Sequence, residues 1–433
     1  MTQRYRFSAA AASIVCLVLG SLPATGQELR GHGGPVRAVA VLADASGLVT
    51  GGFDSAIILW DTERGAARRV LRLHDSTVNA LTALNGDCFA SAGEDARIAI
   101  WCGTAPAPVR TLSGHQAPVA SLAVSPDGRW LASAGWDRTL RLWPLDGNGD
   151  APRVIDGFDG PMNGVVFTHD GRAIVAAGYS GQVSVHALAP GSAPLTVQFA
   201  TPVNALATTA SGEIITAGAD GTVRFLDAAL KPLGELALPA GPLTTVAVTP
   251  DASTVAVAGV RTPVTLIDRA TRTVRAEILG PGLPVWSLAF SRDGKLLFTG
   301  GADRAVRRWE AATGRAAGDI APATDLKPEA AADPGARVFR ACRACHGLTA
   351  ADTHLAGPTL HGVFGRKIAT APGYVYSDAL KGMDIVWNAE TISKLFEIGP
   401  NAYTPGTKMP EQRITDPEDR KALVDWLAKV TAP

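Results

Sequence analysis

The residues that could carry chemistry in this sequence stand near its C-terminus, as Cys342-Arg343-Ala344-Cys345-His346. Two thiols one helical turn apart can add across the two vinyl groups of a haem, and the imidazole that follows can then bind the iron. The same thiols could also form a redox dithiol or half of a zinc site. A dithiol does not need the histidine, and zinc needs further ligands that the neighbouring sequence lacks. We therefore interpret the motif as the attachment site of one covalent haem c.

The sequence after this motif resembles the small soluble cytochromes c of the mitochondrial and α-proteobacterial type, over essentially all of residues 333–433. The matching stretches include GPTLHG, PGYVYSDALKG and PGTKMP. In that family the methionine of PGTKM is the second axial ligand of the iron, and Met409 stands at this position. Met383 is the competing methionine, but no such motif surrounds it. The resemblance implies an all-α class I cytochrome c domain whose iron is bound by His346 and Met409.

The same resemblance assigns further residues to the haem environment. The proline of the GPxLHG stretch, Pro358, offers its carbonyl to the proximal imidazole, and such a contact fixes the orientation and basicity of the ring. The family holds the haem propionates with an arginine, a tyrosine and a tryptophan. Arg366, Tyr376 and Trp387 stand at those positions, which suits the need of buried carboxylates for donors or positive charge.

The sequence departs from the family pattern near the iron. Leu395 replaces a usual tyrosine and Leu380 replaces a frequent asparagine, so polar groups are lost and the setting of the redox potential stays open. His354 and His361 are extra histidines, which we interpret as structural residues and not as ligands.

Helices must position these groups, and the apolar pattern predicts them at Gly335–Cys342, Ala389–Glu397 and Pro417–Val430. By the resemblance, the first helix crosses the last one at Gly335, against Trp426, and both residues belong to the core. An Ala/Pro-rich stretch, residues 316–332, precedes this domain and is typical of a linker.

An internal repeat of about 41 residues fills the chain before the linker. Its units alternate apolar and polar residues and carry an Asp in a short turn with a Trp six residues later, which predicts strands and tight turns. The repeat resembles the WD-repeat family, with Gly31-His32 and Gly114-His115 as GH elements and Trp60-Asp61 as the WD pair. The resemblance implies an all-β, seven-bladed propeller over residues 27–315. The turn and Trp positions are 54/60, 95/101, 137/143 and 303/309, with weaker copies around 180, 220 and 260.

The WD-repeat family joins one His, one Ser or Thr, the turn Asp and the Trp of each blade by hydrogen bonds. A constellation that recurs in every blade is a framework, so we reject a catalytic role for it and assign no catalytic residue. Either Gln27–Arg30 or Gly314–Ile320 could supply the outer strand of the last blade. The three complete quartets are His32/Thr50/Asp54/Trp60, His74/Ser91/Asp95/Trp101 and His115/Ser133/Asp137/Trp143.

Cys88 and Cys102 stand seven residues on either side of Asp95, which would place them opposite each other on neighbouring antiparallel strands. An oxidising compartment would allow a disulfide between them, and two buried free thiols are the alternative.

The N-terminal residues 1–26 have the features of a secretory signal. Basic residues precede an apolar run at 7–22, and small residues precede a cut after Gly26. The run is shorter than the ~20 residues that span a bilayer. An uncleaved anchor is the alternative. We expect a mature chain that begins near Gln27, lies in the periplasm and has no stable membrane insertion.

The charge balance excludes some partners. The 433 residues contain 40 Lys and Arg and 40 Asp and Glu, so nothing favours nucleic acid. A hydrophobic content of 46% excludes a disordered chain. Residues 333–433 carry 12 basic and 11 acidic side chains, which indicates no strong electrostatic steering toward an acidic partner.

Together these features favour an electron carrier, without substrate turnover of its own, whose propeller docks a redox partner protein. One alternative is a haem-based sensor or scaffold, in which a ligand displaces Met409. Another is an oxidoreductase with its active site in the propeller, feeding electrons to the haem. The partner, the direction of electron flow and the oligomeric state stay open.

Overall fold

The computed structural model describes residues 28–42, 47–62, 65–105, 107–146, 151–239, 241–278, 284–317, 333–339, 342, 346–350, 357–407, 409 and 413–432. The predicted signal at 1–26 and residues 318–332 of the predicted linker lie outside these ranges, as do Cys345 and His354.

The first part of the chain is a propeller of seven four-stranded antiparallel sheets, as the repeat predicts. Each of the first six blades uses four consecutive strands, and the last blade has the order β1-β28-β27-β26. The strands are β1 Glu28–Arg30, β2 Val36–Val41, β3 Gly47–Gly52, β4 Ala56–Asp61, β5 Ala66–Arg72, β6 Val78–Ala83, β7 Phe89–Gly93, β8 Ile98–Trp101, β9 Arg110–Leu112, β10 Val119–Val124, β11 Trp130–Gly135, β12 Leu140–Pro144, β13 Arg153–Ile155 and β14 Met162–Phe167. They continue with β15 Ala173–Gly178, β16 Gln182–Ala187, β17 Leu195–Gln198, β18 Val203–Thr208, β19 Ile214–Gly218, β20 Thr222–Leu226, β21 Pro232–Ala237, β22 Leu243–Val248, β23 Thr254–Gly259, β24 Val264–Asp268, β25 Thr273–Ile278, β26 Val285–Phe290, β27 Leu296–Gly301 and β28 Ala305–Glu310.

The N-terminal strand closes the ring. β1 pairs antiparallel with β28, so the first of the two predicted alternatives supplies the outer strand. The guanidinium of Arg307 in β28 binds Glu28 in β1 at 2.7 Å, which ties the two ends of the propeller by a charge-assisted contact.

The second predicted alternative contributes a single bridge. Ala316 pairs with Trp309, and the N–H of Ala317 donates to the carbonyl of Arg308 at 3.0 Å. These two residues fall inside the predicted linker but lie on the propeller. The three-residue strand β1 pairs only with the first part of β28. The segment after β28 folds back, so that backbone hydrogen bonds also form with the second part of this strand.

The framework of the first blade follows the predicted quartet. His32 lies 3.0 Å from Asp54 through Nδ1 and 2.7 Å from the hydroxyl of Thr50 through Nε2. Trp60 donates to the same hydroxyl at 2.8 Å. A Cβ on Gly52 would overlap the Asp54 carboxylate and the His32 ring, so this turn requires a glycine. The second and third blades repeat these contacts.

Arginine replaces histidine where the quartet has decayed. In the fifth blade Arg224 binds the turn residue Asp220 at 2.5 Å, and in the last blade Arg307 binds Asp303. Each arginine stands four residues after its aspartate. Each arginine thus gives the turn carboxylate a charge-assisted contact in place of the one that histidine makes in the complete quartets.

The C-terminal domain is helical, with α1 at Pro334–Phe339, α2 at Asp378–Lys381, α3 at Ala389–Ile398, α4 at Pro400–Tyr403 and α5 at Pro417–Val430. A Cβ on Gly335 would overlap backbone and side-chain atoms of α5, so glycine lets α1 and α5 cross closely. The rings of Phe339 and Trp426 meet at this crossing with 4.9 Å between centroids. Within the described ranges no helix is long and apolar enough to cross a membrane.

Cys88 and Cys102 form a disulfide in the second blade. Phe89 pairs with Trp101 in the β7–β8 register, which leaves the two cysteines opposite each other just beyond this pair. Of the two states that the sequence left open, the structure therefore has the bonded one.

We expect the double variant Cys88→Ser/Cys102→Ser to lower the free energy of unfolding of the propeller by about 2–3 kcal/mol, since the bond closes a short loop. Denaturant titration followed by circular dichroism measures this. A reducing agent should bring the wild type to the variant's midpoint and leave the variant unchanged. A wild-type midpoint that does not respond to reductant would contradict the stabilising role of the bond.

Candidate functional site

The C-terminal domain forms most of the wall of an apolar cavity that opens to solvent at one side. Apolar cavities with a few polar groups are typical sites for cofactors. Apolar side chains from α1, α3 and α5 form much of the wall. The predicted site residues that the structure describes all line the cavity: Cys342, His346, Pro358, Arg366, Tyr376, Trp387 and Met409.

His346 is held as a neutral imidazole. Its Nδ1 donates to the carbonyl of Pro358 at 2.8 Å, which leaves Nε2 as the nitrogen with a free lone pair. Burial lowers the pKa of His346, and the charges of Arg72 and Arg366 lower it further. A neutral ring with a free Nε2 is the form that binds iron.

Cys342 lies in the turn that follows α1. Its N–H donates to the carbonyl of Phe339 at 2.8 Å, and its own carbonyl accepts from the N–H of His346 at 3.0 Å. Burial raises the pKa of the Cys342 thiol to about 11. A thiol that stays protonated at neutral pH is a poor redox nucleophile, which weakens the dithiol interpretation. Cys345 lies outside the described residues.

Among the described residues, which include neither Cys345 nor His354, no group of three or more His, Cys, Asp or Glu side chains could hold a metal ion.

A polar side of the cavity surrounds Arg366. Its guanidinium donates to the carbonyls of Thr359 and His361 at 2.7 and 2.9 Å, and its own carbonyl accepts from the N–H of Trp387 at 2.9 Å. Burial raises the pKa of Tyr376, so its hydroxyl stays a donor. Donors gathered at one side of an apolar cavity suit a ligand with acidic groups at one edge.

The two methionines differ in position. Met409 lines the cavity, and its N–H donates to the hydroxyl of Thr407 at 3.1 Å. Met383 is not part of the cavity wall. Leu380 and Leu395, which replace polar residues of the family, both line the cavity and are 8% exposed. The wall near these two positions is therefore apolar.

The propeller supplies part of the wall, which the sequence did not predict. Gly33, Asp54 and Arg72 line the cavity together with the residues of the helical domain. The guanidinium carbon of Arg72 lies 4.6 Å from the centroid of the Tyr374 ring. No motif marks Arg72, which stands in an ordinary outer strand with other arginines, so only the folded chain shows its place.

These observations fit a haem with respect to apolar lining, one available imidazole and donors at one side. A bound haem would supply one-electron exchange at its iron. The ligand and attachment roles of the individual residues stay predictions.

Comparisons with known proteins agree with both parts of the fold. The family described as "WD domain, G-beta repeat" matches residues 24–61, 106–144 and 273–310, and the family described as "Cytochrome c" matches 332–431. The chain is 42% identical over 101 residues to cytochrome c of Cochliobolus lunatus, covering 93% of that protein. The chain belongs to the cytochrome c family.

Two further cytochromes c support this membership. The chain is 39% identical over 108 residues to the Arabidopsis thaliana protein and 40% identical over 96 residues to the Kluyveromyces lactis protein, covering 96% and 86% of their lengths. These matches span only 25% and 22% of this chain. The cytochrome c domain is thus a nearly complete unit joined to a WD-repeat propeller, and it implies haem c as the cofactor.

Proposed function

We propose that this protein is an exported c-type cytochrome that passes single electrons through one covalently bound haem c, with the propeller docking a redox partner protein. The observation that carries the proposal is the common cavity of His346 and Met409, in which Nδ1 of His346 donates to Pro358 and the lone pair of Nε2 stays available to a metal. Cys342 lines the same cavity, and with Cys345 it would hold the cofactor covalently.

Two protein ligands would leave the iron without an open coordination position. An iron of this kind exchanges electrons with little rearrangement and offers no place for a substrate. A thioether ligand also favours the ferrous state. Electron transfer therefore fits the cavity better than turnover at the iron. The sensor hypothesis differs in one respect, because it needs Met409 to leave.

Carbon monoxide tests the iron. We expect the reduced, haem-loaded full-length protein to show no change in its optical spectrum under carbon monoxide, because Met409 fills the sixth position. Met409→Ala should bind carbon monoxide rapidly, since the variant opens that position.

The matched control is Met383→Leu, which should exclude carbon monoxide as the wild type does. Rapid and complete binding to the wild type would overturn the carrier proposal in favour of a sensor or an enzyme. If carbon monoxide bound to Met383→Leu but not to Met409→Ala, the axial ligand would be Met383 and not Met409.

Export is supported by two independent features. Residues 1–26 have the pattern of a secretory signal, and the bond between Cys88 and Cys102 suits an oxidising compartment. The periplasm, where we expect c-type haem to be attached, meets both requirements.

We expect protein from a periplasmic fraction to have the intact mass of a chain that begins at Gln27. Alkylation without reduction should leave Cys88 and Cys102 unmodified. A membrane-bound protein that retains residues 1–26 would contradict export as a soluble protein.

An aromatic surface on one face of the propeller supports docking. Phe53, Trp136 and Tyr179 each precede the turn residue of a blade, and they are 43%, 52% and 63% exposed. Equivalent turns of successive blades share one face. Exposed aromatic side chains of this kind are enriched at protein interfaces. Their N–H groups make the same contact in each blade, donating to the carbonyls of Pro35, Pro118 and Pro161.

We expect the double variant Trp136→Ser/Tyr179→Ser to slow electron exchange with a periplasmic extract by about tenfold or more, because aromatic anchors carry much of the binding energy of an interface. Stopped-flow spectra of the haem measure the rate. Reduction by ascorbate should be unchanged. The control Leu233→Ser alters a residue that is 42% exposed on β21, the outer strand of the fifth blade, and should have no effect. Equal rates for the double variant and the wild type would count against docking at this face.

A further inference from the structure

Arg72 joins the propeller to the cofactor cavity. It is the last residue of β5, and its backbone pairs with Ala56 in β4. Its guanidinium lies over the ring of Tyr374, with 4.6 Å between the guanidinium carbon and the ring centroid. Tyr374 in turn meets the ring of Tyr376 at 4.6 Å between centroids. A continuous series of contacts thus connects the first blade to a residue predicted to hold a propionate.

Among the described residues, no acceptor pairs with one donor of the Arg72 guanidinium. Its Nη2 atom is buried, and no acceptor among the described residues lies within hydrogen-bond distance. A buried donor without an acceptor destabilises the folded chain, and more so when the group is charged. The position therefore favours a ligand that brings an acceptor into the cavity.

The neighbouring carboxylate does not provide this acceptor. Asp54 is the one acidic side chain in the described wall of the cavity. Its Oδ1 accepts from Ala56 at 3.2 Å and lies 3.0 Å from His32, and its Oδ2 accepts from Gly33 at 2.6 Å. Asp54 is thus committed to the framework of the blade.

The cavity wall has a second guanidinium, that of Arg366, and both of its terminal nitrogens already have acceptors. Arg366 donates through Nη1 and Nη2 to two backbone carbonyls. The fields of both Arg72 and Arg366 reach His346. An acidic ligand in this cavity would lie near two positive charges. Of the two arginines, Arg72 has the donor without an acceptor.

We propose that Arg72 of the propeller binds a haem propionate across the domain boundary, so that the propeller is part of the haem site and contributes to its reduction potential. This inference rests on the haem-loaded state of the proposed function. A carboxylate would satisfy Nη2 and neutralise the guanidinium in one contact. The cation–π contact with Tyr374 holds the guanidinium in place.

The reduction potential is the property to measure. Ferric haem carries one positive charge more than ferrous haem, so a nearby cation favours the ferrous form. In the full-length, haem-loaded protein, Arg72→Gln should shift the one-electron equilibrium toward the ferric form by roughly threefold to tenfold, where tenfold corresponds to ~59 mV. Arg72→Lys keeps the charge and should restore most of this shift. Spectroelectrochemical titration gives both values.

The matched control is Arg68→Gln. Arg68 lies on the same strand, is exposed and is not part of the cavity wall, so it tests the loss of one charge without the contact. Circular dichroism should show the same propeller transition in all three variants. A potential of Arg72→Gln equal to that of Arg68→Gln would overturn the proposal, and so would an Arg72→Lys potential as low as that of Arg72→Gln.

Carbon monoxide on the same samples separates the two proposals. If the wild type binds carbon monoxide, the carrier function fails whatever the variants show. If the wild type excludes carbon monoxide and Arg72→Gln keeps the wild-type potential, the Arg72 contact alone fails.

Discussion

The hydrogen bond from His346 Nδ1 to the carbonyl of Pro358, 2.8 Å long, holds the imidazole in one tautomer inside an apolar cavity. Burial keeps the ring neutral, so Nε2 stays available to a metal. Other parts of the domain serve this arrangement. Gly335 allows α1 and α5 to cross closely, and α1 leads directly into the turn of Cys342. Arg366 anchors the loop after Pro358 through two carbonyls. An electron carrier needs this rigidity, because its ligands should not rearrange between redox states.

The sequence predicts the elements whose chemistry is local. The cysteine motif and the PGTKM stretch sit in short segments, and the folded chain brings Cys342, His346 and Met409 to one cavity as expected. The turn aspartates were equally visible, because each accepts from a backbone N–H two residues later, as Asp54 does from Ala56. Seven such units could close in few other ways, so the propeller followed from the repeat.

The features that the sequence did not predict depend on contacts between distant segments. Two segments were equally plausible outer strands of the last blade, and the choice depends on Glu28 meeting Arg307, 279 residues away. The exchange of histidine for Arg224 in the fifth blade keeps the charge pairing of a framework that looks decayed in the sequence. Arg72 is the extreme case, since its neighbour Tyr374 lies in another domain. The hydrophobic periodicity of a sequence describes one strand or helix at a time. It carries no information about contacts between segments that are distant in the sequence.

The framework of the first blade then acquires a role beyond stability. Burial works against ionisation of Asp54, but the His32 ring and the Gly33 N–H outweigh it and hold the pKa of Asp54 below its usual value. The ionised carboxylate fixes the N–H of Ala56, and Ala56 is the strand partner of Arg72. The same quartet is structural in the second and third blades, and in the first blade it also positions the strand partner of Arg72. A cation held in this way faces the cavity from a paired strand, so a change in the geometry of this blade would move the Arg72 guanidinium relative to the cavity.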